Sequence, residues 1–258
     1  TTTNTPFYEC YGDSSITTDQ SSATSVWDSN FKGVWHLPNG TTLGLNDSTS
    51  NANTLTNHSA VAVAGQVDGG VSFNGTSTYV DRTTSSSLDA PVAANILTMS
   101  LWVKNGSTSQ SNTYAMDYRT NTWNIIYGYN SGTYETYWAN GSIRKTIKSG
   151  VSDTNWHKID ISFDGVADTL NIYYDGSSTY SAAETTNLSN GGATNLYIGS
   201  SNGSANWFNA TIDEFRVSNI ARSADWITTE YNNQSSPSGF YAVGNQVSLS
   251  TQQFHKYL

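Results

Sequence analysis

The chain is short of cysteine, of charge and of long apolar runs, and each shortage removes a class of protein. Its 258 residues include a single cysteine, Cys10, so no intrachain disulfide can form. A thiolate zinc site needs several cysteines and is excluded with it. No stretch approaches the roughly 20 apolar residues of a bilayer-spanning helix, so membrane insertion is not expected. The start, TTTNTPFYEC, has no Met, no basic segment and no apolar segment, and no signal peptide is expected there. Lys and Arg number 11 against 20 Asp and Glu, a formal net charge of −9. Without a basic cluster there is no footprint for a phosphate backbone, so nucleic acid is not an expected partner. Charged residues make up 12% of the chain, about half the usual share of ~25%.

Thr, Ser, Asn and Gly fill the place of the missing charges, and aromatic residues reach 12%. Disordered chains combine few aromatics with high charge, and this chain has neither property. The length suits one large domain of about 250 residues, a common size for all-β sandwiches. The Ser/Thr/Asn richness and scarcity of Lys point to an extracellular setting, at a cell or virion surface. Asn-x-Ser/Thr triplets such as Asn39-Gly40-Thr41 and Asn74-Gly75-Thr76 recur, but a chain this rich in all three residues produces them by chance.

Period-two alternation dominates. In KIDISF, Ile159, Ile161 and Phe163 point one way and Lys158, Asp160 and Ser162 the other. LNIYYD repeats the pattern with Leu170, Ile172 and Tyr174, and the intervening DGVAD carries an Asp-Gly turn signal. The two runs form a hairpin with one core face and one polar face. GVSFNG, TMSLWVK, NIIYGY, NLYIGS and IDEFRVS read as further strands. Many short strands separated by turn residues predict a sandwich or jelly roll. One helix is expected near residues 223–232, with Ser223 as N-cap, Asp225 in the first turn, and Trp226 and Ile227 packed on a sheet edge. Residues 1–32 read as a strand and linker, with Cys10 a small packed residue of that strand. Residues 33–244 read as the main domain, and 245–258 as a tail or a further strand.

GVWHLPNG, LNDSTSNANTLT, AGQVDGGVSFNGTSTYV, LTMSLWVK, NWHKIDISFDG with LNIYYDG, NLYIGS, and ATIDEFRVSNIARSADWI follow one another in that order. Together they resemble a bacterial- or archaeal-type laminin-G-like domain of the concanavalin A-like lectin/glucanase superfamily, over about residues 33–232. PFYECYGDSSITTDQSSATSVWD looks like the closing strand and linker of the small β-domain of unknown function that often precedes such domains. The resemblance implies an all-β jelly-roll sandwich of two curved antiparallel sheets. It also implies binding of glycans or proteins outside the cell, often with a structural calcium.

Three groups of residues are candidates for chemistry. His157 follows Trp156, a pair that marks a structural strand in this family; the same reading applies to His36 in VWHL. No nucleophile motif accompanies either histidine, so a structural role is preferred to a catalytic one. The strand with two spaced carboxylates that a retaining glucanase requires is missing, because Asp213 and Glu214 are adjacent and alternate in direction. No catalytic residue is assigned.

The second group is a metal set. Asp213 shares parity with Phe215 and Val217, which points it toward the core, where a carboxylate needs a partner. NDSTSNANT offers Asp47, Asn51 and Asn53. The resemblance implies a structural calcium held by Asp47 and Asp213, with Asn51 and carbonyl oxygens completing the shell. The alternative is that Asp213 accepts loop amides and Asp47 caps a turn.

The third group is aromatic. Trp123, Ile125, Tyr127 and Tyr129 share one parity, and Tyr134, Trp138 and Arg144 fall on neighbouring segments. Such rings stack on sugar C–H surfaces, or they fill the sandwich core. The expectation is therefore a non-catalytic, extracellular, lectin-like module that binds a glycan or glycoprotein surface, with Trp123, Tyr127, Tyr129, Tyr134, Trp138 and Arg144 at the site. The alternative is a structural subunit of a filament, surface layer or virion, bound to copies of itself or to neighbours. A carbohydrate-active enzyme is the weaker third reading.

Overall fold

The computed structural model describes residues 22–240, apart from 39–41, 84, 108–109, 111–112, 120–122, 131–132, 141–142, 149–152, 186 and 189–194, together with residues 15, 17, 18 and 244. Cys10, PFYECYG and the tail from 245 lie outside the described residues. The described strands are β1 (Phe31–Trp35), β2 (Thr56–His58), β3 (Val61–Ala64), β4 (Gly69–Asn74), β5 (Tyr79–Thr83), β6 (Ile96–Asn105), β7 (Thr113–Arg119) and β8 (Trp123–Asn130). They continue with β9 (Thr133–Asn140), β10 (Ile143–Lys148), β11 (Trp156–Asp164), β12 (Thr169–Tyr174), β13 (Ser177–Ala183), β14 (Asn195–Ile198) and β15 (Asn209–Ser218). The described helices are α1 (Ala23–Val26), α2 (Ser86–Ala94), α3 (Ala224–Ser235) and α4 (Pro237–Phe240).

The strands form two antiparallel sheets. One runs β13-β12-β11-β6-β15-β4-β3, with β1 also paired to β15, and the other runs β10-β9-β8-β7-β14-β5-β2. Alternate residues from each sheet meet in one core. Met99, Leu101, Ile161 and Phe215 come from the first sheet, and Val80, Met116, Tyr118, Leu196 and Ile198 from the second. This is the expected all-β jelly-roll sandwich, and the 156–174 hairpin forms with Ile161 opposite Ile172.

The polar face of that hairpin is buried as well. Lys158, Asp160 and Ser162 lie under α3. Ser223 caps α3 as expected, its side chain accepting from Trp226 N at 3.2 Å. Ile227 is fully buried, whereas Trp226 stays 44% exposed over the Arg222 guanidinium. Trp102 Nε1 donates to Gln234 Oε1 at 2.7 Å and so ties the helix to β6. An unanticipated helix, α2, carries Pro91 in its interior. It ends at Asn95, whose left-handed backbone (φ 58) lets its N–H reach Val92 O at 3.1 Å.

The last residues of the linker are docked on the sandwich. Trp27 packs edge-on to Phe31 at 4.9 Å and lies over the Arg216 guanidinium at 4.8 Å. Asp28 pairs with Arg222 at 3.1 Å.

Strand β15 breaks the parity that its sequence suggests. A bulge falls between Asp213 and Arg216, and Glu214 sits there with φ 50. Asp213 therefore pairs with Trp102, which packs against α3, and not with the core-facing residues of β6. Asp213 is fully buried, as expected, but the inserted residue shifts it out of step with Phe215.

Candidate functional site

The aromatic candidates fall on three adjacent strands of the seven-stranded sheet. Trp123, Tyr127 and Tyr129 are on β8, Tyr134 and Trp138 on β9, and Arg144 on β10. Tyr129 pairs with Tyr134, and Arg144 pairs with Ala139. Tyr127 is a correction: it is 1% exposed and belongs to the core, because its parity turns it between the sheets. The side chains of Trp123, Tyr129, Tyr134, Trp138 and Arg144 lie outside those described.

The same sheet carries a second aromatic group, on its face turned away from the core. His58 pairs with Tyr79 across β2 and β5, and the two rings stack at 3.9 Å and 2°. The Trp207 ring lies 5.7 Å from Tyr79 and the Tyr197 ring 6.5 Å from it. His58 Nε2 meets Asp81 Oδ1 at 2.7 Å, with the imidazole 37% and the carboxylate 12% exposed. Asp81, Tyr197 and Asp117 stand in one row across β5, β14 and β7, because Tyr197 pairs with both acids. Val80, Leu196 and Ile198 take the alternate positions and fill the core, which fixes this row on the outer face.

The loop before β15 closes the site. Asn202 and Asn206 adopt left-handed φ values of 46 and 52, and Gly203 has φ 70. A Cβ on Gly203 would lie 2.8 Å from the Tyr79 hydroxyl, so only glycine lets the loop approach this ring. Phe208 N donates to Gly199 O and Tyr114 N to Asn206 O, both at 2.9 Å, which brackets Trp207 between two fixed points. Partial burial and then the Asp81 charge push the Tyr79 hydroxyl above its ordinary pKa. Half-buried rings beside a carboxylate and an imidazole suit a polyhydroxylated ligand, whose C–H faces stack and whose hydroxyls donate to carboxylate. Sequence reasoning missed this group, although TYVDR alternates Tyr79 and Asp81 around Val80.

The proposed calcium ligands have other work. Asp47 accepts Val34 N at 3.0 Å, Thr49 N at 2.9 Å, Thr49 Oγ1 at 2.8 Å and Asn53 N at 2.8 Å. Asn51 donates from Nδ2 to Phe31 O at 3.0 Å. Asp213 Oδ2 accepts Gln66 N and Val67 N, both at 2.9 Å. Calcium needs about six to eight oxygens around it, whereas N–H and O–H donors occupy both oxygens of Asp47 and one oxygen of Asp213. The three residues do not fit a calcium shell, and Asp47 and Asp213 organise two separate loops. Among the described residues no group of three His, Cys, Asp and Glu could hold a metal ion. Asp213 Oδ1 is buried without a hydrogen-bond partner, and burial above all pushes this carboxyl up to about 6.

His157 and His36 are also held by carboxylates. His157 lies between Asp175 at 2.7 Å and Asp153 at 2.9 Å, with Tyr174 tilted over it at 4.7 Å. Burial opposes its charge, but the two carboxylates outweigh burial and raise its pKa. His36 meets Glu214 at 2.6 Å, and Glu214 also accepts from Arg216. No hydroxyl or thiol is described in hydrogen-bond contact with either ring.

The concanavalin A-like lectin/glucanases superfamily matches residues 74–228. No curated protein matches the chain by sequence. Among solved structures, the chain is similar to domain 4 of AbnA, a GH43 extracellular arabinanase from Geobacillus stearothermophilus, in complex with arabinotriose. That likeness has a TM-score of 0.62 at 18% identity over 77% of this chain and 97% of that one. It is also similar to the binding domain of botulinum neurotoxin DC in complex with rat synaptotagmin II (TM-score 0.60, 14% identity, 80% of this chain and 52% of that one). The binding domain of Paraclostridial Mosquitocidal Protein 1 gives a TM-score of 0.57 at 15% identity, over 79% of this chain and 52% of that one. The chain thus spans about half of each toxin domain.

Proposed function

The chain belongs to the concanavalin A-like lectin/glucanases superfamily, and from that premise we propose that it is a non-catalytic, extracellular binding module for carbohydrate. Its ligand face is the outer face of the seven-stranded sheet around Tyr79, Tyr197, Trp207, His58 and Asp81. The observation that carries this reading is the half-buried ring group, Tyr79 with Trp207 and Tyr197, beside the His58–Asp81 pair.

Three features support binding over hydrolysis. Asp81 and Asp117 come from strands separated by β14, and Asp117 is 0% exposed. Asp213 and Glu214 are buried and engaged by loop amides, His36 and Arg216. His36, His58 and His157 contact no described nucleophile. The solved relative that holds arabinotriose agrees with a saccharide as the ligand class.

A glycan array followed by calorimetry tests the reading. Trp207→Ala should weaken the best glycan by about tenfold or more, since one aromatic–sugar stack contributes roughly 1–2 kcal/mol. Unchanged affinity in a folded Trp207→Ala protein would move the site elsewhere. Release of reducing sugar by the wild type would overturn the non-catalytic reading.

A further inference from the structure

We infer that residues 27–31 form a latch that locks the chain's entry into the sandwich to its exit through α3, so that the two flanking segments loosen together and not one at a time. The inference is independent of the carbohydrate reading. β1 and β15 are antiparallel neighbours, and Phe31, the first residue of β1, pairs with Ser218, the last of β15. Just beyond that pair Asn219 N donates to Asn30 O at 3.0 Å. The chain therefore enters and leaves the first sheet at one point, and strand ends are where a fold opens most easily.

Rings and cations close that point. The Arg222 guanidinium lies 4.4 Å from the Phe31 ring and 4.3 Å from the Trp226 ring, and its Nη2 donates to Asp28 Oδ2 at 3.1 Å. Trp27 packs on Phe31 and covers the Arg216 guanidinium. Arg222 directly precedes Ser223, the N-cap of α3, and Arg216 pairs with Glu230 further along the helix. The linker thus touches both cations that position α3. Each ring attracts a guanidinium through its face, and Arg222 is only 8% exposed, so water weakens that attraction little.

Both halves of the latch need it. The turn before β1 is fixed by its own bonds, Asn30 N to Asp28 Oδ1 at 2.8 Å and Phe31 N to Asp28 O at 3.1 Å, and this aims Asp28 at Arg222. Helix α3 buries only Ile227 and Gln234, and a helix with so narrow a buried stripe depends on contacts from outside it. Thr98 anchors the backbone of Ile220 and Arg222, and Trp102 anchors Gln234 at the far end. The first turns of α3 between those anchors are left to the Arg222 and Arg216 side chains, and so to the linker.

Native-state hydrogen exchange on the full chain at pH 7 tests the latch. In Trp27→Ala the amides of residues 227–230, beginning with Ile227 N on Ser223 O, should exchange at least about fivefold faster, while Met99 and Leu101 of β6 keep their wild-type rates. In Asp28→Asn the same amides should speed up by about twofold, the scale of a partly exposed ion pair. Coupling is reciprocal, so Trp226→Ala should quicken exchange at Phe31 N and Asn219 N on the other side of Arg222. Faster exchange confined to residues 22–31, with α3 at its wild-type rate, overturns the inference, and so does an effect that runs from the linker to α3 but not back. If Trp27→Ala unfolds the sandwich or speeds β6 equally, Asp28→Asn decides alone: α3 faster over an unchanged β6 keeps the latch, and any other pattern removes it.

Discussion

Lys158 Nζ lies 2.9 Å from Glu230 Oε2, a buried ion pair that joins β11 to α3. Lys158 also reaches Asp160, and Glu230 also reaches Arg216, which continues to Glu214 and His36. Few apolar side chains hold α3 down; Ile227 is the only fully buried one. The helix is therefore held in register by charge and hydrogen bonds, and the network closes the sheet face opposite the ligand face.

Breaking that pair on one side should be costly. Glu230→Ala leaves Lys158 and Arg216 with a shared acidic partner missing, and the expected loss is about 3–5 kcal/mol in denaturant unfolding. A Lys158→Met/Asp160→Leu/Glu230→Leu triple variant should lose much less, since it removes Lys158 together with both of its acidic partners and leaves Arg216 paired with Glu214. Equal losses in the two proteins would show that packing, and not charge pairing, positions α3.

Asp213 gives a pH signature. Its folded carboxyl titrates at about 6 against an ordinary 3.8, so the folded state holds the proton more tightly than the unfolded state. Stability from this group is fully present below pH 3.8 and is lost as pH rises through about 6. Relative to wild type, Asp213→Asn should gain stability between pH 3.5 and 7, by up to roughly 3 kcal/mol at 1.36 kcal/mol per tenfold in proton affinity. A constant difference across that range would mean that Oδ1 is solvated in solution.

These two sites show where the sequence could be read and where it could not. The 156–174 hairpin was legible because its strands are neighbours and its turn is marked by Asp-Gly. The burial of Lys158 and Asp160 was not, since α3 arrives from some 70 residues away to cover them. The bulge at Glu214 has no glycine to announce it, so strict alternation put Asp213 in step with Phe215. Tyr127 was open to a ligand-site and a core reading, because parity does not say which face is inside. The His58–Tyr79–Tyr197–Trp207 group joins β2 and β5 to β14 and its following loop, more than 100 residues away in the chain, and only the strand order brings them together. The α2 helix was hidden by Pro91, a residue that normally argues against a helix interior.

Asp47 should matter for stability without calcium. Its two oxygens accept four hydrogen bonds from its own loop and from β1, including Val34 N at 3.0 Å. Asp47→Ala leaves buried N–H groups unsatisfied, with an expected loss of about 2–4 kcal/mol. A chelator should leave the melting temperature of the wild type unchanged. A drop with chelator that calcium restores would show that the loops rearrange around an ion.

His157 gives the last pH test. Asp175 and Asp153 raise its pKa above the ordinary 6.5, against the effect of burial. The protonated ring therefore stabilises the fold, fully below pH 6.5, and this contribution is lost as pH rises through the folded value. His157→Gln should be less stable than wild type at pH 5.5, and the gap should narrow by pH 8.5. The ring also fixes the β12–β13 turn, where Asp175 Oδ1 accepts Lys158 N at 2.9 Å and Gly176 O accepts Thr228 Oγ1 at 2.8 Å. Hydrogen exchange in residues 175–177 should therefore quicken in the variant more at pH 5.5 than at 8.5. Because this clamp belongs to the first sheet, affinity for the ligand of the second sheet should stay within about twofold of wild type. A loss of ligand binding that tracked the loss of His157, in a protein of unchanged melting temperature, would place the histidine in the site and out of the scaffold.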